Sequence, residues 1–151
     1  MKKLQYYGIA TSMVAGAIIG AASISDARSV SAFLGQPQVP GDYTCFSNFN
    51  GSVRNNCSTT RRFCVALPVD SASHDVTVNV LAPDSSHNIS CFATAVTRET
   101  FNAGSTPAKS VTTGFGSFQI LALGLVSVPS FGALFACCDI APTASAQTIS
   151  Y

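Results

Sequence analysis

The chain has few charged residues and no tryptophan. Among its 151 residues are eight Lys or Arg, seven Asp or Glu and two His. Charged residues make up 10% of the chain, against the roughly 25% of an average soluble domain. Such a composition leaves no basic surface of the kind that binds nucleic acid, so we expect no nucleic-acid partner.

Motifs that mark catalytic or metal sites are also missing. The cysteines contain no C-x-x-C pair, and the aspartates are not spaced as a calcium loop. There is no G-x-S-x-G motif, and the few acids are scattered over turn positions, whereas a glycosidase needs two facing one cleft. We therefore predict no catalytic residue, no metal and no cofactor, and keep a hydrolase only as a remote alternative.

Helical periodicity is absent after residue 35, and strand patterns take its place. Val76, Val78 and Val80 alternate with polar residues, and turn residues recur about every 10 to 15 positions. Strands are predicted over 42–46, 63–69, 76–82, 89–97, 111–115, 118–128, 131–140 and 148–151, with a polar loop over 47–62. This pattern predicts an all-β fold, a small disulfide-bridged antiparallel β-sandwich.

The uncharged run from Phe118 to Cys138 is long enough for a membrane span to be considered. The segment 128–132, VPSFG, lies in its middle, and its proline and glycine break a helix and favour a turn. The run therefore predicts two strands joined by a turn, and we expect no membrane span after signal cleavage.

Residues 1 to about 32 are typical of a secretory signal peptide. Two lysines form a short positive start, which favours a bacterial source, and an uncharged apolar stretch follows over 9–24. That stretch is shorter than the roughly 20 residues that a spanning helix needs. Cleavage is predicted near Ala27 or Ala32, which leaves 33–151 as a single β-sandwich domain with an irregular N-terminal arm over 33–41. We expect a secreted protein, in the periplasm, at the cell surface or in the medium.

The six cysteines predict three disulfides, because an even number in an exported domain is typical of a disulfide framework. They are Cys45, Cys57, Cys64, Cys91, Cys137 and Cys138. Neighbours in a strand point to opposite faces, so the adjacent Cys137 and Cys138 each need a partner of their own. Cys91–Cys138 is the favoured pair, and the partners of the other four stay open.

Both histidines lie in two similar polar segments, DSASHD over 70–75 and DSSHN over 84–88. Asp and Ser bond to nearby backbone groups and favour turns. If strands 63–69 and 76–82 form a meander, the two turns lie at opposite ends of one sheet, roughly 24 Å apart at ~3.4 Å per residue. We interpret His74 and His87 as solvated turn residues that share neither a metal nor a proton relay.

Two hypotheses for the function follow from the surface. From Thr100 to Tyr151 the charged side chains are Lys109 and Asp139. Apolar C-terminal strands, including a possible edge strand at Thr148–Tyr151, favour an exported structural or self-associating component whose partner is itself or another surface protein.

The alternative is a monomeric secreted binding module whose contact surface is the loop between Cys45 and Cys64. Arg54, Arg61 and Arg62 are its possible ligand contacts. Tyr43, Phe46 and Phe49 flank the same loop, which makes a carbohydrate platform conceivable, although the absence of tryptophan weakens that idea.

Overall fold

Two antiparallel β-sheets pack face to face around one hydrophobic core. The computed structural model describes residues 28–49 and 51–151. The strands in these ranges are β1 Ser29–Ser31, β2 Gln36–Pro37, β3 Phe46–Phe49, β4 Ser52–Asn55, β5 Arg61–Leu67, β6 Ser73–Leu81, β7 Ile89–Val96, β8 Asn102–Ser105, β9 Lys109–Ser110, β10 Phe118–Ser127, β11 Ala133–Ile140 and β12 Ser145–Ser150. Short 3-10 helices span Ala32–Leu34 and Pro40–Cys45.

Neighbouring strands in each sheet are mostly distant in sequence. Over the described residues, the first sheet has the order β10-β6-β12-β4-β3, with β1 paired to β12. The second has the order β2-β5-β11-β7-β8, with β9 paired to β7. The pairs are antiparallel.

Alternate apolar residues of the central strands fill the space between the sheets. Val76, Val78 and Val80 of β6 are fully buried, and so are Leu134 and Ile140 of β11. Burying one such side chain contributes about 1.5–3 kcal/mol to folding. The predicted all-β antiparallel sandwich is therefore confirmed.

The uncharged run in the C-terminal half is two strands joined by a turn, as predicted. β10 ends at Ser127 and β11 begins at Ala133. In the turn between them the backbone N–H of Gly132 donates to the carbonyl of Pro129. No helix among the described residues is long and apolar enough to cross a bilayer.

The predicted edge strand at Thr148–Tyr151 is wrong in its position. These residues belong mostly to β12, which pairs with β6 on one side and with β1 and β4 on the other. β12 therefore lies inside the first sheet, because β1 supplies the pairing that a free edge would lack.

The N-terminal third also differs from the prediction. Most of 42–46, predicted as a strand, lies in the 3-10 helix Pro40–Cys45, where proline suits the first turn. The predicted polar loop over 47–62 contains instead the hairpin β3–β4, with Gly51 at a φ of 78° in its turn. The Asn50-Gly51 dipeptide in the sequence is a hairpin signal that accounts for this turn.

The predicted meander is wrong, because β5 and β6 lie in different sheets. β6 pairs with β10 and β12, whereas β5 pairs with β11 and β2. β5 and β6 each have one apolar face. The connection 68–72 carries the chain across the roughly 10 Å between the sheets, so that both apolar faces meet in the core. His74, predicted as a solvated turn residue, is partly buried on β6 itself, and His87 lies in the loop beyond the other end of that strand.

Residues from 28 onward take part in the sandwich. β1 pairs with β12, and the segment 33–41, predicted as irregular, includes most of the first 3-10 helix and strand β2, which pairs with β5. The predicted signal peptide falls mostly on residues 1–27, outside the described ranges, and stays a prediction. Cleavage near Ala27 would leave β1 whole, whereas cleavage near Ala32 would remove it.

The six cysteines, all within the described residues, form three disulfides. The pairs are Cys45–Cys57, Cys64–Cys137 and Cys91–Cys138, and the last is the pair that the sequence favoured. Cys138 faces the core and joins β11 to β7, while Cys137 points the other way and joins β11 to β5. The central strand β11 is thus cross-linked to both of its neighbours.

Candidate functional site

A cleft of about 640 Å³ opens where β6 begins, at one end of the first sheet. Its polar lining includes Arg28, Asp70, Ser73, His74, Asp75 and Tyr151. We call it the Asp70 cleft. Cavities of this size typically hold small-molecule ligands or one segment of a longer ligand.

The pairing of β1 with β12 brings the first and last described residues to this cleft. The backbone N–H of Arg28 donates to the carbonyl of Tyr151 at 3.1 Å, and the N–H of Tyr151 donates back at 2.9 Å. The Tyr151 ring meets the His74 ring edge to face, with centroids 6.5 Å apart. One wall of the cleft therefore depends on a contact between residues from opposite ends of the sequence.

Hydrogen bonds hold the turn and the start of β6 in place. His74 Nε2 lies 3.1 Å from the backbone carbonyl oxygen of Asp70, and since a carbonyl only accepts, this nitrogen donates. Ser73 Oγ lies 2.7 Å from Ser127 Oγ on β10. These bonds leave the Asp70 and Asp75 side chains exposed to solvent.

The cleft contains Asp, His and Ser side chains without the geometry of a hydrolytic triad. His74 is bonded to a backbone carbonyl and Ser73 to Ser127, whereas a triad requires the serine to bond the histidine. Residues 28–49 and 51–151 contain no group of three His, Cys, Asp or Glu placed to hold a metal ion. These side chains can donate and accept hydrogen bonds and stack against a ring, which are the contacts of a binding site.

The second of the two similar polar segments, 84–88, forms a turn that is held by its own hydrogen bonds. The Asp84 carboxylate accepts from the Ser86 hydroxyl at 2.6 Å and from the backbone N–H groups of Ser86 and His87 at 2.8 and 2.9 Å. His87 Nδ1 lies 3.0 Å from the same carboxylate. These hydrogen bonds, the one from Ser86 first, hold the pKa of Asp84 well below its ordinary value. Asp84 is exposed like Asp70 and Asp75, but its carboxylate accepts hydrogen bonds within its own turn.

The three arginines predicted as ligand contacts do not share one surface. Arg54 lies on β4 in the first sheet, while Arg61 and Arg62 follow each other on β5 in the second. Arg61 Nε lies 3.5 Å from a carboxylate oxygen of Asp42. A ligand role for the three arginines stays a prediction.

Arg62 is built into the outer face of the second sheet. Its Nε and Nη2 each donate to a carboxylate oxygen of Asp139 at 2.7 Å, and its guanidinium lies 5.1 Å from the centre of the Phe92 ring. The hydrogen bonds to Asp139 raise the pKa of Arg62. Two of its five N–H groups bond Asp139, and this paired contact favours a structural role.

Sequence reasoning missed the Asp70 cleft because its members carry no shared motif. The turn predicted over DSASHD is wrong for its second half, because Ser73, His74 and Asp75 begin β6 and only 70–72 lie in the connection before it. Arg28 lies inside the predicted signal peptide, and Tyr151 is predicted only as the end of an edge strand. The pairing of β12 with β6 brings Tyr151 beside His74, and the pairing of β1 with β12 adds Arg28.

No family model and no curated protein matches this chain. Several solved structures are similar to it. The GH26-CBM35 β-(1,4)-mannanase of Podospora anserina has a TM-score of 0.54 and 11% sequence identity, covering 82% of this chain and 27% of that one. The chain thus spans about a quarter of that protein's length. The shared feature is the fold.

A second structure, described as "CBM4 structure and function", has a TM-score of 0.41 and 11% identity. It covers 77% of this chain and 81% of that one.

Proposed function

We propose that this protein is a secreted, non-catalytic carbohydrate-binding module. The Asp70 cleft carries the proposal, because exposed carboxylates, an arginine, hydroxyls and a tyrosine ring line one cavity. Carboxylates accept hydrogen bonds from sugar hydroxyls, a guanidinium donates them, and an aromatic ring offers an apolar surface to the face of a sugar. The disulfides support an extracellular location.

Other ligand classes fit the cleft less well. Two carboxylates against one arginine disfavour an anion, and a metal ion lacks a third protein ligand among the described residues. A neutral polyol needs only the donors and acceptors that are present. The similar fold within a mannanase described as GH26-CBM35 supports the same ligand class.

We expect His74→Ala to weaken saccharide binding about tenfold, the loss typical of one or two well-placed contacts. The substitution removes the ring that packs against Tyr151 and that holds the Asp70 turn. Isothermal titration of the oxidised, secreted protein with β-(1,4)-linked hexasaccharides of mannose, glucose and xylose measures the affinity.

The second histidine supplies the matched control. His87 lies in the similar turn at the other end of β6, so His87→Ala should leave the affinity unchanged. Equal losses in both variants would point to a general effect on folding. If the unaltered protein bound none of the three hexasaccharides at millimolar concentration, the proposal would be wrong for this class of glycan.

A second candidate function is self-association through β10, by pairing of its edge with that of a second copy. β10 is the edge strand of the first sheet, it has no charged residue, and its Ile120 and Leu125 side chains are 74% and 68% exposed. A long apolar edge is a template for pairing with another strand. Without charges, two copies of β10 can face each other across a twofold axis with no repulsion.

This candidate predicts that the molar mass in solution rises with protein concentration. Light scattering after size exclusion measures it, and Ile120→Lys should return the protein to a constant mass near one chain, because a lysine on an edge opposes pairing. Phe131→Lys is the control, since Phe131 is 86% exposed but lies in the turn after β10. A constant single-chain mass of the unaltered protein would rule the candidate out.

A further inference from the structure

A second cavity, of about 190 Å³, lies where β2 and β3, the edge strands of the two sheets, approach each other. Four aromatic side chains line it: Phe33, Tyr43, Phe46 and Phe63. Ser47 and Asn48 of β3 contribute polar groups to the same lining. We call it the aromatic groove. It lies beside the disulfide Cys45–Cys57, so it occupies the region that the sequence singled out as a contact surface.

Two of the rings form a packed base and two remain open to solvent. Phe63 is buried and meets Phe46 edge to face, with centroids 4.8 Å apart. Phe33 and Tyr43 are 54% and 56% exposed. Exposed aromatic surface is unfavourable in water and is recovered when an apolar face covers it. The Phe33 and Tyr43 rings are therefore available to a ligand.

Covalent and close backbone contacts hold both exposed rings in position. Tyr43 lies in the 3-10 helix Pro40–Cys45, which the Cys45–Cys57 disulfide attaches to the end of β4. At Gly35, two residues after Phe33, a Cβ would collide with the Cys64 carbonyl and the Phe63 ring, so this segment lies directly on β5. A preformed groove binds without the entropy cost of ordering its walls.

The size and chemistry of the groove define its occupant. None of the residues that line it is charged, so it suits a neutral ligand. Its volume is below the roughly 300–1,000 Å³ of a complete small-molecule site, which fits a single ring. The Tyr43 hydroxyl donates to Gln36 Oε1 at 3.4 Å and Asn48 Oδ1 accepts from Gly51 at 3.1 Å, so polar groups lie around an aromatic interior. A sugar ring has this combination of an apolar face and a hydroxyl rim.

We propose that the aromatic groove is a second saccharide-binding site, which holds one neutral sugar ring against Phe33 and Tyr43. This rests on the proposed function, because it assigns the same class of ligand to a second place on the module. Two sites on one domain would bind a polysaccharide more tightly than a short oligosaccharide, since the second contact is intramolecular.

Amide chemical shifts of the ¹⁵N-labelled protein distinguish the two sites. The probes are β-(1,4)-linked hexasaccharides of mannose, glucose and xylose. With a probe that binds, we expect shift changes in two groups, one around His74 and Asp75 and one around Tyr43 and Asn48. Tyr43→Ala should remove the second group only, and His74→Ala should remove the first group only.

Tyr43→Ala and two further variants test the stacking contact. Tyr43→Ala should lower retention on the matching soluble polysaccharide in affinity electrophoresis about tenfold, whereas Tyr43→Phe should keep it because the ring remains. Val39→Ala is the control, since Val39 has the same 56% exposure and does not line the groove. Shift changes at the Asp70 cleft with none at the groove would overturn this inference alone. No response at either place would overturn the proposed function as well.

Discussion

Replacing both Cys91 and Cys138 by alanine is expected to lower the free energy of unfolding by about 4 kcal/mol. The bond closes a loop of 47 residues, and opening it gives the unfolded chain more conformational freedom. Both half-cystines also belong to the buried core, so alanine leaves unfilled space there. Chemical denaturation without reductant measures the loss, after mass spectrometry has verified the two remaining disulfides.

The neighbouring disulfide separates these two causes. Cys64–Cys137 joins the same strand β11 to β5 and closes a longer loop of 73 residues, but it lies outside the buried cluster. If loop closure alone determined the effect, replacing Cys64 and Cys137 by alanine would lower the free energy of unfolding slightly more than replacing Cys91 and Cys138. We expect the larger loss of unfolding free energy in the Cys91 and Cys138 double variant, because the sulfur atoms that it removes fill the core. The opposite order would show that packing around Cys91 and Cys138 contributes little.

Asn55→Ala is expected to lower the free energy of unfolding by about 3 kcal/mol, since buried polar groups left without partners cost roughly 1–3 kcal/mol each. Asn55 is fully buried at the end of β4. Its Nδ2 donates to the carbonyls of Ile140 at 2.7 Å and Thr59 at 2.9 Å, and its Oδ1 accepts from the Cys57 N–H at 2.9 Å. The bond to Ile140 links the first sheet to the second.

Asn79→Ala is the matched control for this substitution. Asn79 lies on β6 of the same sheet, is only partly buried, and donates to the Gln147 side chain at 2.8 Å. Water can replace that partner, so the expected loss is about 0.5–1 kcal/mol. Thermal and urea unfolding of both variants provide the comparison. Similar losses at the two positions would contradict the bridging role of Asn55.

Local patterns predicted the strands that form the core. The alternation of Val76, Val78 and Val80 requires a strand with one buried face, whichever strands lie beside it. Proline and glycine at 129 and 132 mark the turn between β10 and β11 for the same local reason. The prediction failed for the pairing of strands, as in the meander. An apolar face shows that a strand is buried, but it does not show which sheet the strand joins.

The candidate site depended even less on local signals. The polar residues of 70–75 predicted a turn, but 73–75 begin β6, and the segment lines a cleft only because β12 runs beside β6. In the similar segment 84–88, the Asp84 carboxylate instead accepts hydrogen bonds from Ser86 and His87. Two nearly equivalent stretches therefore differ in what they can bind, and the difference lies in their surroundings.

The amino-acid sequence by itself determined that this chain forms an antiparallel β-sandwich, because strand periodicity and turn residues act over a few positions. It also determined that the adjacent Cys137 and Cys138 must bond in opposite directions, because successive residues of a strand alternate faces. Only the tertiary structure decided where the Asp70 cleft and the aromatic groove lie. Both depend on which strands pair across long sequence separations, and those pairings follow from packing of the whole core.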